Sequence, residues 1–247
     1  MRRVAPRVLV LFAREPRREA LDKGLDVVSG GRLFAAFARG WIDAAGNCGA
    51  RVVVATPSGD RGAWRRALPG ARFETIAQRG DSLGSRLVDA ARQAAPASGS
   101  GCVVLVGGDV APSAQSLAAA FELRERAADA VIAPAPDGGV SLVSLTEEDL
   151  DLLGRFVPRG ADVFSRLTKA LLLRRRRTAI VEPAGDVDGR RELGRLLRTT
   201  TFPAPELQAL ARAVLAAHRW NPGLFASLPA TASHVGPQVS RGPPPAA

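Results

Sequence analysis

Four short segments of this 247-residue chain carry side chains suited to phosphate and metal chemistry. Arg14-Glu15-Pro16-Arg17-Arg18, with Lys23 and Gly24 soon after, forms a basic stretch behind an apolar run. Gly107-Gly108-Asp109, Asp137-Gly138-Gly139 and Asp186-Val187-Asp188 are acidic, and each follows a segment of strand character. Cationic groups neutralise phosphates, and carboxylate oxygens are the hard donors that Mg²⁺ or Mn²⁺ requires. Each segment also has a plain structural reading. Asp109 could cap a following helix, and for that residue alone capping and metal binding stand level. Asp137-Gly138-Gly139 is a standard tight-turn sequence. Asp186 and Asp188 could be favoured by a helix dipole, and the arginines could be solvated surface. The conjunction at four strand ends points beyond these readings, to a site for a nucleotide phosphate and a divalent metal.

The positioning elements follow from periodicity. Val8–Ala13 is a continuous apolar run, as for a strand buried on both faces of a parallel sheet. Arg51–Ala55, the weaker Arg72–Ala77, Cys102–Val106, Ala130–Ala133, Val140–Leu145 and Thr178–Val181 read as further strands. Leu33, Phe34, Phe37, Trp41 and Ile42 recur at helical spacing within Arg32–Ala45. Asp60–Leu68, Leu83–Ala95, Ser113–Ala127, a short stretch from Thr146, Gly160–Arg175 and Gly189–Leu197 complete the expected helices. Arg14–Gly31, polar and punctuated by glycine, reads as a loop. Alternation at this spacing predicts an α/β fold, a three-layer sandwich around a mostly parallel sheet, with one antiparallel strand beside Asp137. Ligands of such sheets sit beyond the strands' C-terminal ends. We expect this domain over residues 1–200, an appended amphipathic helix within 201–228 and a disordered tail over 229–247.

Composition narrows the class. The net charge is +10, yet only Lys23 and Lys169 are lysine and aromatic residues make up 5%. A nucleic-acid binder would interleave basic and aromatic side chains, so the charge alone argues for phosphorylated ligands in general. Arg174–Arg177 reads as a solvated face at a helix end. Cys48 and Cys102 have no CxxC spacing and read as inert thiols in a reducing compartment. No run approaches the roughly 20 apolar residues of a membrane helix, and the N-terminal run lacks a cleavage site; we expect a cytoplasmic protein. His218 and His234 stand apart from the acidic segments, and no catalytic triad, phosphate-binding P-loop or dinucleotide fingerprint is present.

The order VLVLFAREP, QRGDSLGSRL, VVLVGGDVAP, APAPDGGVSLVSL and DVDGRREL, spanning Val8 to Leu197, resembles the bacterial radical-SAM/selenodomain-associated transferases. These are also known as arsenosugar-biosynthesis glycosyltransferases. They belong to the glycosyltransferase-A, or nucleotide-diphosphosugar transferase, superfamily, and are similar to molybdenum-cofactor and phospholactate guanylyltransferases. The resemblance implies transfer of a sugar from a nucleotide donor to a small-molecule acceptor. The alternatives are nucleotidyl transfer from a nucleoside triphosphate with release of pyrophosphate, or a degenerate relative that binds a nucleotide or partner without turnover. By position, Asp109 is the implied metal aspartate and Asp188 the second ligand. Gln78, Gly80, Asp81 and Arg86, with Leu83 and Gly84, match the nucleoside motif. Asp137 lies in the acceptor-side turn, where it would orient or deprotonate the acceptor. Arg14 and Lys23 would add positive charge beside the phosphates.

The chain departs from that pattern in four places. The family's proline-glycine and lysine-threonine-arginine run is replaced by Arg17–Gly24. Val110-Ala111-Pro112 stands where cysteine-proline follows the metal aspartate. Val140 replaces a tyrosine, and Gly189-Arg190-Arg191 replaces threonine-proline-glutamate.

Overall fold

The computed structural model describes residues 5–96, 101–157, 162–182, 185–198 and 205–217. Among these residues seven strands form one sheet: β1 (Arg7–Phe12), β2 (Arg51–Thr56), β3 (Glu74–Ala77), β4 (Cys102–Gly107), β5 (Ala130–Pro134), β6 (Val140–Leu145) and β7 (Thr178–Ile180). Their order is β3-β2-β1-β4-β6-β5-β7. All pairs are parallel except those of β6, which runs antiparallel to both β4 and β5.

Successive side chains of a strand point to opposite faces, which explains why the apolar runs are continuous. Leu9, Leu11, Val52, Val54, Val104 and Val106 face a cluster with Trp41, Trp64, Leu117 and Phe121. Val8, Val10, Val53, Leu105 and Val143 face the other way, onto Ala90, Leu153, Leu167 and Leu171. The first cluster is supplied by α2 (Val27–Asn47), α3 (Arg61–Ala67) and α5 (Ala114–Glu125). The second comes from α4 (Leu83–Ala94), α6 (Asp151–Phe156) and α7 (Val163–Leu173). A three-layer α/β/α sandwich results. Near its edge, α1 (Pro16–Asp22), α8 (Arg190–Leu196) and α9 (Pro205–Ala217) share a third cluster with Leu33, Phe34 and Phe37 of α2.

The expected loop over Arg14–Gly31 is not one. Pro16 opens α1, where a missing N–H costs nothing, and the Glu15 side chain accepts from Arg18 N–H. Asp26 likewise caps α2 through Ser29 N–H at 2.8 Å. Gly30 and Gly31 are packing residues and do not break the helix. A Cβ at Gly30 would lie 2.8 Å from Ala20 Cβ, and one at Gly31 would lie 2.9 Å from Arg17 Cγ. Their absence of side chain lets α1 lie directly on α2.

Arg174–Arg177 is only in part the expected solvated face: Arg175 and Arg177 are exposed, while Arg174 and Arg176 turn onto Asp149. Arg174 Nη1 donates to Asp149 Oδ1 and Asp151 Oδ1, both at 2.9 Å. Arg176 Nε lies 2.7 Å from Asp149 Oδ2, and Arg177 Nε donates to Asp129 Oδ2 at 3.3 Å. Asp149 is fully buried, so these cations keep its charge from standing uncompensated. Both cysteines are free, and burial pushes both thiols up, so neither is readily ionised. Among the described residues no helix is long and apolar enough to cross a membrane. The expected tail over 229–247, His218 and His234 lie outside the described residues.

Candidate active site

The parallel strands β1, β4 and β5 end on the same edge of the sheet at which antiparallel β6 begins. That edge receives the β1–α1 segment, the Gly107-Gly108-Asp109 loop and the turn before β6. The two glycines set how closely Asp109 approaches β1. A Cβ at Gly108 would lie 2.3 Å from Ala13 Cβ, and one at Gly107 would lie 2.6 Å from Asp109 Oδ1. Trp41 Nε1 donates to the Val110 carbonyl at 2.9 Å, fixing the loop from the helical side.

A pairing between two distant loops adds the last acidic segment. Val110 and Asp186 form an antiparallel bridge. Val187 N–H donates to the Asp109 carbonyl at 3.0 Å, and Ala111 N–H donates to the Gly185 carbonyl at 2.9 Å. Across the edge, Gly138 adopts a φ of +89°, and Asp137 Oδ1 accepts from Gly139 N–H at 2.8 Å. Asp137 is therefore the acceptor of its own tight turn and also a member of an acidic group. One carboxylate oxygen each of Asp137, Asp186 and Asp188 lies within 4.8 Å of the others.

Lys23 closes the group from α1. Its Nζ donates to Asp109 Oδ2 at 2.6 Å and also to Asp188. Glu19 Oε1 stands 3.9 Å from the same nitrogen. Burial by itself would lower the Lys23 pKa, but Asp109 and Asp188 reverse that and push it up. Burial pushes Asp186 up to about 6, helped by Asp137, Asp188 and Asp109. Burial, and then Asp109, also raises the Glu19 carboxyl. These shifts record an excess of negative charge withdrawn from water.

Beside the acidic group opens a cleft of about 410 Å³. Arg14, Glu19, Asp109, Asp137 and Asp186 line its polar side, and Leu87, Leu105, Val143, Leu153 and Leu167 its apolar depth. Gln78 and Arg86 are in the wall; Gln78 Nε2 donates to the Ala55 carbonyl at 2.9 Å, and Arg86 Nε donates to the Ser82 carbonyl at 3.3 Å. Gly80 and exposed Asp81 stand outside the lining, and Gly80 shapes the turn into α4 with a φ of +124°. Arg14 is paired with Asp22. Lys23 meets carboxylates, where sequence reasoning gave it phosphates. Glu19 was missed altogether. Its only signal is its place one helical turn before Lys23, which has no meaning until α1 is recognised as a helix.

The sheet order and its flanking helices give the chain the fold of the nucleotide-diphospho-sugar transferases. The chain is similar to a candidate nucleotide-diphospho-sugar transferase from Desulfovibrio desulfuricans G20, with 22% identity over 87% of this chain and 98% of that one, and a TM-score of 0.72. The inositol-1-phosphate CTP transferase of T. maritima gives a TM-score of 0.53 at 10% identity, over 85% of this chain and 96% of its own. The 4-diphosphocytidyl-2C-methyl-D-erythritol synthase of Anaerococcus prevotii gives 0.51 at 10%, over 87% and 99%. Residues 43–158 match a family described as an uncharacterized protein conserved in bacteria (DUF2064). No curated protein matches the chain.

Proposed function

We propose that the protein is a metal-dependent transferase that moves a glycosyl group from a nucleotide-activated donor to a small-molecule acceptor. The observation that carries this reading is the convergence of Asp109, Asp137, Asp186 and Asp188 at the mouth of a cleft on the C-terminal edge of the sheet.

The donor set suits a hard divalent cation, Mg²⁺ or Mn²⁺. It is made of carboxylate oxygens alone, and its negative charge exceeds what Lys23 neutralises. Asp109 and Asp188 would hold the ion, with Asp186 adjoining. When bound, it would stabilise the charge that develops on the departing nucleoside diphosphate. Gln78 and Arg86 would hold the nucleoside in the cleft wall. Arg14 would add a charge near the phosphates, and Gly80 and Asp81 would shape the approach from outside the lining. Asp137 would orient the acceptor hydroxyl and receive its proton. The motif order also supports the narrower kinship with the radical-SAM-associated transferases, and the departures around Lys23 and Val140 bear on that branch's phosphate and acceptor contacts.

Calorimetric titration with nucleoside diphosphates, triphosphates and nucleotide sugars, with Mn²⁺ or with EDTA, tests the site against Asp109→Asn. Metal-dependent binding of one nucleotide, lost in the variant, is the expected result. No binding under any condition would sink the mechanism and leave the non-catalytic relative. Nucleotidyl transfer uses the same geometry, and the product separates the two: a nucleoside diphosphate for glycosyl transfer, pyrophosphate for nucleotidyl transfer.

A further inference from the structure

Lys23 occupies the cation position that the cleft carboxylates create. Its ammonium lies 2.6 Å from Asp109 Oδ2 and is bonded also to Asp188. These are the two side chains to which the proposed function gives a divalent ion. An ammonium and a divalent ion on the same oxygens repel each other at contact distance, so the two compete for these carboxylates. The surroundings are also unbalanced. Among the described residues Glu19, Asp109, Asp137, Asp186 and Asp188 gather five carboxylates about Lys23, and Arg14, the other cation beside Glu19, brings its own anion Asp22 with it. A diphosphate arriving at metal-free protein would meet a net negative wall, although the whole chain carries +10.

The backbone that carries Lys23 is fixed. Lys23 is the C-terminal cap of α1, with its N–H bonded to the Glu19 carbonyl at 3.0 Å. The other end of the helix is anchored where Asp60 accepts from Glu15 N–H at 3.1 Å. Any movement of the ammonium therefore falls on its flexible four-carbon stem.

We propose that Lys23 is a displaceable internal counter-ion. It holds Asp109 and Asp188 together in metal-free protein, yields them to an incoming divalent cation, and passes its ammonium to the diphosphate that follows. The inference rests on the assignment of Asp109 and Asp188 as metal ligands. Two consequences follow by linkage. Metal alone binds weakly, because it must break the lysine contacts. Metal and diphosphate bind cooperatively, because the displaced ammonium gains a new partner.

The test is calorimetric titration of the full chain with Mn²⁺ alone, and of Mn²⁺-saturated protein with inorganic pyrophosphate, correcting for chelation in solution. Wild type, Lys23→Met, Lys23→Gln and Asp109→Asn are compared, with circular dichroism to confirm folding. Both lysine variants are expected to bind Mn²⁺ about tenfold tighter than wild type, and pyrophosphate about tenfold more weakly once metal is bound. Wild-type binding of Mn²⁺ that Asp109→Asn abolishes but both folded lysine variants leave unchanged or weaker overturns the counter-ion role alone. Unchanged pyrophosphate affinity overturns the hand-over. Failure of wild type to bind Mn²⁺, or binding indifferent to Asp109, overturns the metal assignment and the lysine's role with it.

Discussion

The two ends of the central sheet each carry a knot of charge, and they are built on opposite accounts. At the end where β5 and β7 begin and β6 finishes, Arg155, Arg174, Arg176 and Arg177 face Asp129, Glu148, Asp149 and Asp151. Cations and anions match, and hydrogen bonds from Arg177 and Arg174 hold the Asp129 and Asp151 carboxyls below the usual range. At the cleft end, five carboxylates meet one lysine, and Asp186 and Glu19 are pushed up. A balanced cluster leaves no charge without a partner. An unbalanced one is costly until a cation arrives. The difference separates a structural clamp from a binding site more surely than the number of charges in either.

That contrast can be broken in graded steps. Asp149→Ala removes the fully buried anion of the clamp, which also accepts from Thr146 Oγ1 at 2.8 Å. It should destabilise the fold by about 1–3 kcal/mol in urea titration, because Arg174 and Arg176 keep Asp151 and Glu148, leaving nucleotide binding by the remaining folded protein intact. Asp109→Asn should do the converse. Transfer should fall by at least about a hundredfold in a product assay, with little change in the urea midpoint, because Lys23 keeps Asp188. Gly108→Ala forces the loop away from Ala13 and should cost about 1–3 kcal/mol, together with weaker Mn²⁺ binding.

The smallest effect concerns pH. Folded, metal-free protein holds the Asp186 proton up to about pH 6, whereas the unfolded chain releases it near 3.8. Between these values the folded state binds more protons, so its stability falls as pH rises through the window. Asp186→Asn removes that loss. In EDTA it should be more stable than wild type by about 1 kcal/mol at pH 7, a figure reduced for partial exposure. The gain should vanish below about pH 4, and urea midpoints measured from pH 3.5 to 7.5 would show a constant gain if the idea is wrong.

The strands were legible because parallel strands buried on both faces leave uninterrupted apolar runs, as in β1 and β4. The reversed strand β6 was legible from the turn at Asp137-Gly138-Gly139. Helix α1 and the first turn of α2 were not: α1 is a short charged stretch with little apolar periodicity, and Gly30 and Gly31 of α2 look like breaks until the α1 surface packed against them is known. The contacts of Arg174 and Arg176 were missed for a related reason, since their partner Asp149 lies far away in sequence. At the site, the type of each acidic residue could be read in advance. What could not be read was the bridge between Val110 and Asp186, a contact between loops 76 positions apart that carries no local pattern. Without it, neither the bond from Lys23 to Asp188 nor the position of Asp186 follows.

The reversed direction of β6 also bears on how this scaffold could be altered. The turn Ala135–Gly139 is a hairpin tip at the cleft, whereas both its strands are tied at the far end, through Asp129 beside β5 and Asp149 beyond β6. Register is thus set away from the tip. A segment inserted between Ala135 and Pro136, with Asp137 kept, could reshape the acceptor side of the cleft without slipping either strand, giving a protein engineer a replaceable cartridge on a fixed mount.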